Sequence, residues 1–126
     1  MHQLAHILVV DDQLSLRTVL TLVLGALPGV SVHAESTGVG ALAAIAAQPP
    51  DLLLLDAVMP GLDGPQTLAA LRAQPATAEL PVIFLTASAD TLPPAVTGDP
   101  HLLGIIAKPF DAMQLSATIQ QLWERR

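Results

Sequence analysis

Hydrophobic positions in this chain fall into two kinds of run. Four runs are short, continuous and rich in branched side chains, at residues 7–10, 52–55, 82–85 and 105–107. Their length suits strands, and apolarity at every position rather than every second one implies burial on both faces. A weaker run at 30–34 supplies a fifth strand.

Between these runs the apolar positions recur at helical spacing. Leu16, Leu20, Val23, Leu24 and Leu27 share one face of a first helix that Pro28-Gly29 closes, with Leu14 and Leu22 off that face. A second, Ala-rich helix is predicted over 38–48, ending at Pro49-Pro50 because the residue before a proline is pushed out of the helical region. The third begins at Pro65, whose missing N–H costs nothing at the first helical position, and buries Leu68 and Leu71. Leu115, Ile119, Leu122 and Trp123 form the stripe of the last helix. Between 89 and 101, Pro93, Pro94, Gly98 and Pro100 leave room for only a turn or two, so a short or irregular fourth helix is expected. Strict alternation of strand and helix predicts an α/β protein: a doubly wound five-stranded parallel sheet, flavodoxin-like, in a (βα)5 three-layer sandwich. At 126 residues the chain suits one domain spanning 1–126.

Composition narrows the chemistry. There is no cysteine, which excludes disulfides and thiolate metal sites. The net charge of -6, with Arg17, Arg72, Lys108, Arg125 and Arg126 as the cations, would repel a phosphate backbone, so no direct nucleic-acid binding is expected. Aromatic residues make up 2%, namely Phe84, Phe110 and Trp123, too few for a stacking platform. No apolar run approaches the roughly 18 residues of a membrane span, and the start lacks the basic and apolar regions of a secretion signal. A cytoplasmic protein with no membrane partner is expected. His2, His6, His33 and His101 are scattered without ligand spacing and receive no role.

Polar residues end the apolar strands. Val10 gives way to Asp11-Asp12, Leu55 to Asp56, Leu85 to Thr86 and Ala107 to Lys108, the only lysine. In a parallel sheet the carboxyl ends of the strands share one edge, where ligands bind, so these side chains converge. Three crowded carboxylates repel one another and call for a cation. With no His or Cys beside them, the oxygen donors select magnesium (or manganese), with Asp11 and Asp12 as dedicated ligands and Asp56 sharing the ion. An aspartate oxygen can accept a phosphoryl group as an acyl phosphate, which makes Asp56 the candidate nucleophile. Lys108 can pair with Asp56 before reaction and with the phosphoryl oxygens afterwards, and the Thr86 hydroxyl can donate to one of those oxygens.

These residues resemble the receiver domain of two-component response regulators over essentially the whole chain. The parts that match are Asp11-Asp12 after Ile7-Leu8-Val9-Val10, the stretch from Asp51 through Asp56 to Gly64, then Leu85-Thr86-Ala87, and Lys108-Pro109-Phe110. The resemblance implies that Asp56 is the phosphoacceptor, that the Val58 backbone carbonyl completes the metal ligands, and that small Ala87 leaves access to the phosphoryl group. It implies a phosphohistidine donor on a sensor histidine kinase or a histidine phosphotransfer protein. The chain would then act only on itself and is not expected to be an enzyme toward outside metabolites. Three positions depart from or tune the pattern. Ile105 stands where the family commonly carries a switching Tyr or Phe, which points to another route of signalling, and Val58 and Ser88 occupy positions that set how easily water attacks the phosphoryl group.

Simpler readings stand beside these. Asp11-Asp12 alone would be a turn after a strand, and Asp56 with Lys108 alone a structural ion pair. Phe110 and Trp123 read as packing residues. Leu14 and Leu22 leave an apolar outer face on the first helix that suits a phosphodonor or a homodimer contact. A magnesium-dependent phosphatase with an aspartyl nucleophile would want a second acid where Val58 stands, and a nucleotide binder would want a phosphate loop where Asp11-Asp12 stand. Since the last stripe finishes three residues from the end, the chain reads as a stand-alone regulator or an excised receiver of a larger protein.

Overall fold

A computed structural model describes residues 3–126; His2, given no role above, lies outside them. In chain order the elements are β1 (His6–Val10), α1 (Leu14–Gly25), β2 (Ser31–Glu35), α2 (Gly38–Ala47), β3 (Leu52–Asp56), α3 (Gly64–Arg72), β4 (Val82–Thr86), α4 (Pro94–Thr97), β5 (Leu102–Ala107) and α5 (Ala112–Glu124). Single 3-10 turns at Pro75–Thr77 and Ala89–Thr91 sit before and after β4. All neighbouring strands pair in parallel, in the order β2-β1-β3-β4-β5. This is the expected doubly wound architecture, with the chain reversing direction beside β1 and β3.

Strand alternation sorts the core into two layers. Leu8, Val10, Leu53, Leu55, Val82 and Phe84 face α2 and α3, where they meet Ala41, Ile45, Leu68 and Leu71. Ile7, Val9, Leu52, Leu54, Ile83 and Leu85 face the other way, onto Leu20 and Leu24 of α1 and Leu115, Ile119 and Trp123 of α5. Every residue of β3 and of β4 is buried, as strands covered by helices on both sides must be. Trp123 is a core residue at 4% exposure, whereas Leu14 and Leu22 are 69% and 70% exposed.

Three helices start on side-chain caps. Thr37 accepts the Gly40 N–H, Asp111 accepts the Met113 N–H, and Asp63 forms a reciprocal capping box with Gln66 at the head of α3. That box fixes the end of the loop that leaves Asp56. Within the loop Gly61 takes φ 76, a left-handed conformation that glycine adopts without a steric penalty. Gly64 is held for space instead: a Cβ there would lie 2.5 Å from the Asp56 carbonyl oxygen and 2.8 Å from the Ala57 Cα.

The fourth helix is a single turn of four residues, Pro94–Thr97, between Pro93 and Gly98, as its prolines imply. β5 is longer than the expected 105–107, because Leu102 also pairs with Val82 and Gly104 with Ile83, with Leu103 left out of the ladder at a register shift between them.

Candidate functional site

Asp11 directly follows β1, Asp56 closes β3, Thr86 closes β4 and Lys108 directly follows β5, so sheet geometry brings them to one edge. Side-chain oxygens of Asp11, Asp12 and Asp56 lie within 4.8 Å of one another. Lys108 Nζ reaches between two of them, 2.8 Å from Asp11 Oδ2 and 3.1 Å from Asp56 Oδ1. Asp11 is 0% exposed and Asp56 4%, while Asp12 faces solvent.

The surroundings hold Asp11 in place. Its Oδ1 accepts the Gln13 N–H at 2.9 Å, and its backbone carbonyl accepts from Arg17 Nη1 at 2.8 Å. Its own N–H donates to the Glu35 carbonyl on β2. Asp56 Oδ1 also accepts the Val58 N–H at 3.3 Å, so the loop bearing Val58 folds back on the carboxylate. The Lys108 N–H donates to the Thr86 carbonyl at 2.8 Å, which ties the ends of β4 and β5 together.

Charge crowding shows in the protonation equilibria. Burial, and then the charge of Asp11, push the Asp56 carboxyl above its ordinary value, against the opposing pull of Lys108 and the Val58 N–H. Burial alone would lower Lys108, but hydrogen bonds to Asp11 and Asp56, with their charges, raise it, so the ammonium form is held. One ammonium therefore faces three carboxylates, two of them buried. An all-oxygen acidic cluster with a residual negative charge fits a hard divalent cation.

Thr86 stands at the same edge, but its hydroxyl is engaged with Ser88, accepting the Ser88 N–H at 3.1 Å and donating to the Ser88 carbonyl at 3.3 Å. Val58 is 74% exposed on the loop beyond Asp56. Two contributors carried no sequence signal. Arg17 supports the Asp11 loop from the first turn of α1, and Arg72 forms a forked ion pair with Asp99, at 2.9 and 3.1 Å, far along the chain. A lone Arg on a helix gives no sign of its partner.

A doubly wound sheet with acidic residues, a hydroxyl and one lysine at its carboxyl edge defines the class of signalling α/β domains. The chain belongs to the response regulator receiver domain family, whose model matches residues 7–120, and thus to two-component signalling. It is 36% identical over 114 residues to the DNA-binding response regulator MtrA of Mycolicibacterium paratuberculosis, covering 90% of this chain and 49% of that protein. It is 33% identical over 125 residues to the transcriptional regulatory protein CseB of Streptomyces avermitilis, covering 99% and 52%. The chain spans about half the length of the curated relatives it matches. Among solved structures it is similar to the chemotaxis protein CheY4 of Vibrio cholerae, with a TM-score of 0.81 at 28% identity over 95% of this chain and 99% of that one. A putative response regulator from Chloroflexus aurantiacus matches with a TM-score of 0.81 at 30% identity, over 98% and 100%. The family is not one of conventional enzymes. Among the described residues no helix is long and apolar enough to cross a membrane.

Proposed function

We propose that the chain, as one receiver unit over 1–126, takes a phosphoryl group on Asp56 from a phosphohistidine of a sensor histidine kinase or histidine phosphotransfer protein. An Asp56 carboxylate oxygen attacks phosphorus, the phosphorus–nitrogen bond breaks, and its electron pair leaves with the donor imidazole. Asp11, Asp12, Asp56 and the Val58 carbonyl would hold magnesium (or manganese), which when bound neutralises charge on the transferring group. Lys108, already 3.1 Å from Asp56, follows the new negative charge, and Thr86 exchanges its bond to the Ser88 carbonyl for one to a phosphoryl oxygen. The chain's chemistry is confined to its own phosphorylation and dephosphorylation. It controls a downstream partner from the cytoplasm, either alone or as part of a longer regulator.

The observation that carries this reading is the buried Asp56 carboxylate at the end of the central strand, within ion-pair reach of Lys108 and clustered with Asp11 and Asp12. The exposure of Leu14 and Leu22 supports docking of a phosphodonor or a second copy on the outer face of α1. A phosphatase with an aspartyl nucleophile is disfavoured, because exposed, uncharged Val58 stands where its second acid is needed. With magnesium and acetyl phosphate, intact-mass spectrometry should show one added phosphoryl group on the wild-type protein and none on Asp56→Asn. Equal labelling of both would refute the assignment.

A further inference from the structure

We infer that the open edge of β2 is a self-association surface, on which a second copy of this chain lays its own β2 antiparallel and joins the two sheets into one. The inference does not depend on which residue is phosphorylated.

The two outer strands of the sheet are β2 and β5, and their edges differ. At β5 the ladder is broken by the register shift that leaves Leu103 out, and such an irregularity blunts an edge against pairing. At β2 the register with β1 is unbroken from Ser31 to Glu35, with no proline or lysine in the strand. The Ser31 N–H donates to the Ala5 carbonyl, and the Glu35 carbonyl accepts the Asp11 N–H. Residues 31, 33 and 35 therefore turn their backbone groups toward β1. The alternate residues of a ladder turn theirs the other way, so the N–H and C=O of Val32 and of Ala34 face the open side. A row of such groups is a template for another strand.

Self-complementarity points to a second copy as that strand. Antiparallel pairing centred on His33 sets Val32 opposite Ala34 of the second copy and Ala34 opposite its Val32. Every outward N–H of the two strands then meets an outward carbonyl. Glu35 falls opposite Ser31, so no carboxylate faces a carboxylate.

Charge points the same way. Residues 13–50 hold one acid, Glu35, and one base, Arg17, so the whole net charge of -6 lies outside them. These residues carry β2 together with α1 and α2, the helices on either side of it. Like charge opposes a second copy elsewhere on the molecule and is absent here. Arg17 is turned inward to the Asp11 carbonyl. α1 packs on β2 more than on β1, and its exposed side shows Leu14, Thr18, Thr21 and Leu22. α2 has no charged residue and exposes Val39 and Ala43. A two-fold axis through the strand pair brings like helices to the same side of the joined sheet, where these uncharged faces add the area that two five-residue strands lack.

The test is sedimentation velocity of the whole chain from about 10 to about 500 µM, where the wild type should pass from monomer to dimer. Ala34→Pro removes one outward N–H from each copy and no bond to β1, and should weaken the dimer at least about tenfold. The absence of cysteine from the chain permits a second, independent reading. At the centre of the pairing the two residues 33 would have Cα atoms about 4.5 Å apart, within disulfide range. His33→Cys should therefore cross-link on oxidation with copper phenanthroline, whereas Ser31→Cys, opposite position 35 of the second copy, should not. These two exposed positions decide the matter if Ala34→Pro fails to fold. A wild type that stays monomeric over the whole range, a dimer indifferent to Ala34→Pro, or Ser31→Cys cross-linking as fast as His33→Cys would overturn the inference.

Discussion

Replacing Lys108 by Met removes the one cation from a cluster of three carboxylates while keeping most of the side-chain volume. The ammonium lies 2.8 Å from Asp11 and 3.1 Å from Asp56. At an effective dielectric constant of about 20 these pairs are worth roughly 6 and 5 kcal/mol before desolvation is subtracted. Loss of one partner from a buried pair costs about 3–5 kcal/mol in practice. Because the Lys108 side chain is 18% exposed, the low end applies, about 3 kcal/mol. A divalent cation bound by the same oxygens replaces the missing charge, so magnesium should return part of that loss through linkage. The assay is urea unfolding of wild type and Lys108→Met at neutral pH, once in EDTA and once in about 10 mM magnesium chloride. The variant should lose about 3 kcal/mol in EDTA and roughly half of that in magnesium. Equal losses in the two buffers, or none in either, would refute the view that ammonium and metal satisfy the same buried charges.

Gly64→Ala should cost about 1–3 kcal/mol in urea unfolding, since the new methyl meets the backbone of Asp56 and Ala57 rather than a flexible side-chain tip. It should also slow labelling by acetyl phosphate. Burial alone would raise the Asp99 carboxyl, but the Arg72 hydrogen bonds, the His101 N–H and the Arg72 charge hold it below its ordinary value of 3.8. A depressed carboxyl stabilises the fold above its unfolded pKa, and that contribution is lost as pH falls through the folded one. Asp99→Asn should therefore be less stable than wild type near pH 7, with the difference shrinking below about pH 4, as urea midpoints across that range will show. Leu54→Ala, fully buried in the central strand, should cost about 2–5 kcal/mol by the same measurement without changing which residue is phosphorylated.

The fold was legible because the three central strands, β1, β3 and β4, are sandwiched and therefore written as unbroken apolar runs. β3 and β4, buried along their whole length, stood out with boundaries correct to within a residue. β5 did not, because as an edge strand interrupted by Gly104 it carries a weaker pattern over its first half. The acidic cluster with Lys108 was legible for a topological reason: in a parallel sheet the residue ending each strand must share an edge with the others. The engagement of the Thr86 hydroxyl by Ser88 was not, since a hydroxyl has many acceptors in reach and sequence does not rank them. Nor was the clamp between Arg72 and Asp99, whose partners lie 27 residues apart and meet only once α3 and the turn before β5 are packed.

The most direct measurement of the central claim is chemical trapping of the acyl phosphate. Borohydride reduces an aspartyl phosphate to homoserine, so protein treated with magnesium and acetyl phosphate, then reduced and digested, reports the phosphorylated position by peptide mass spectrometry. Homoserine at position 56, absent when magnesium is replaced by EDTA, is the expected result. Homoserine at position 11, 12 or another acid, or none at all, would contradict the account.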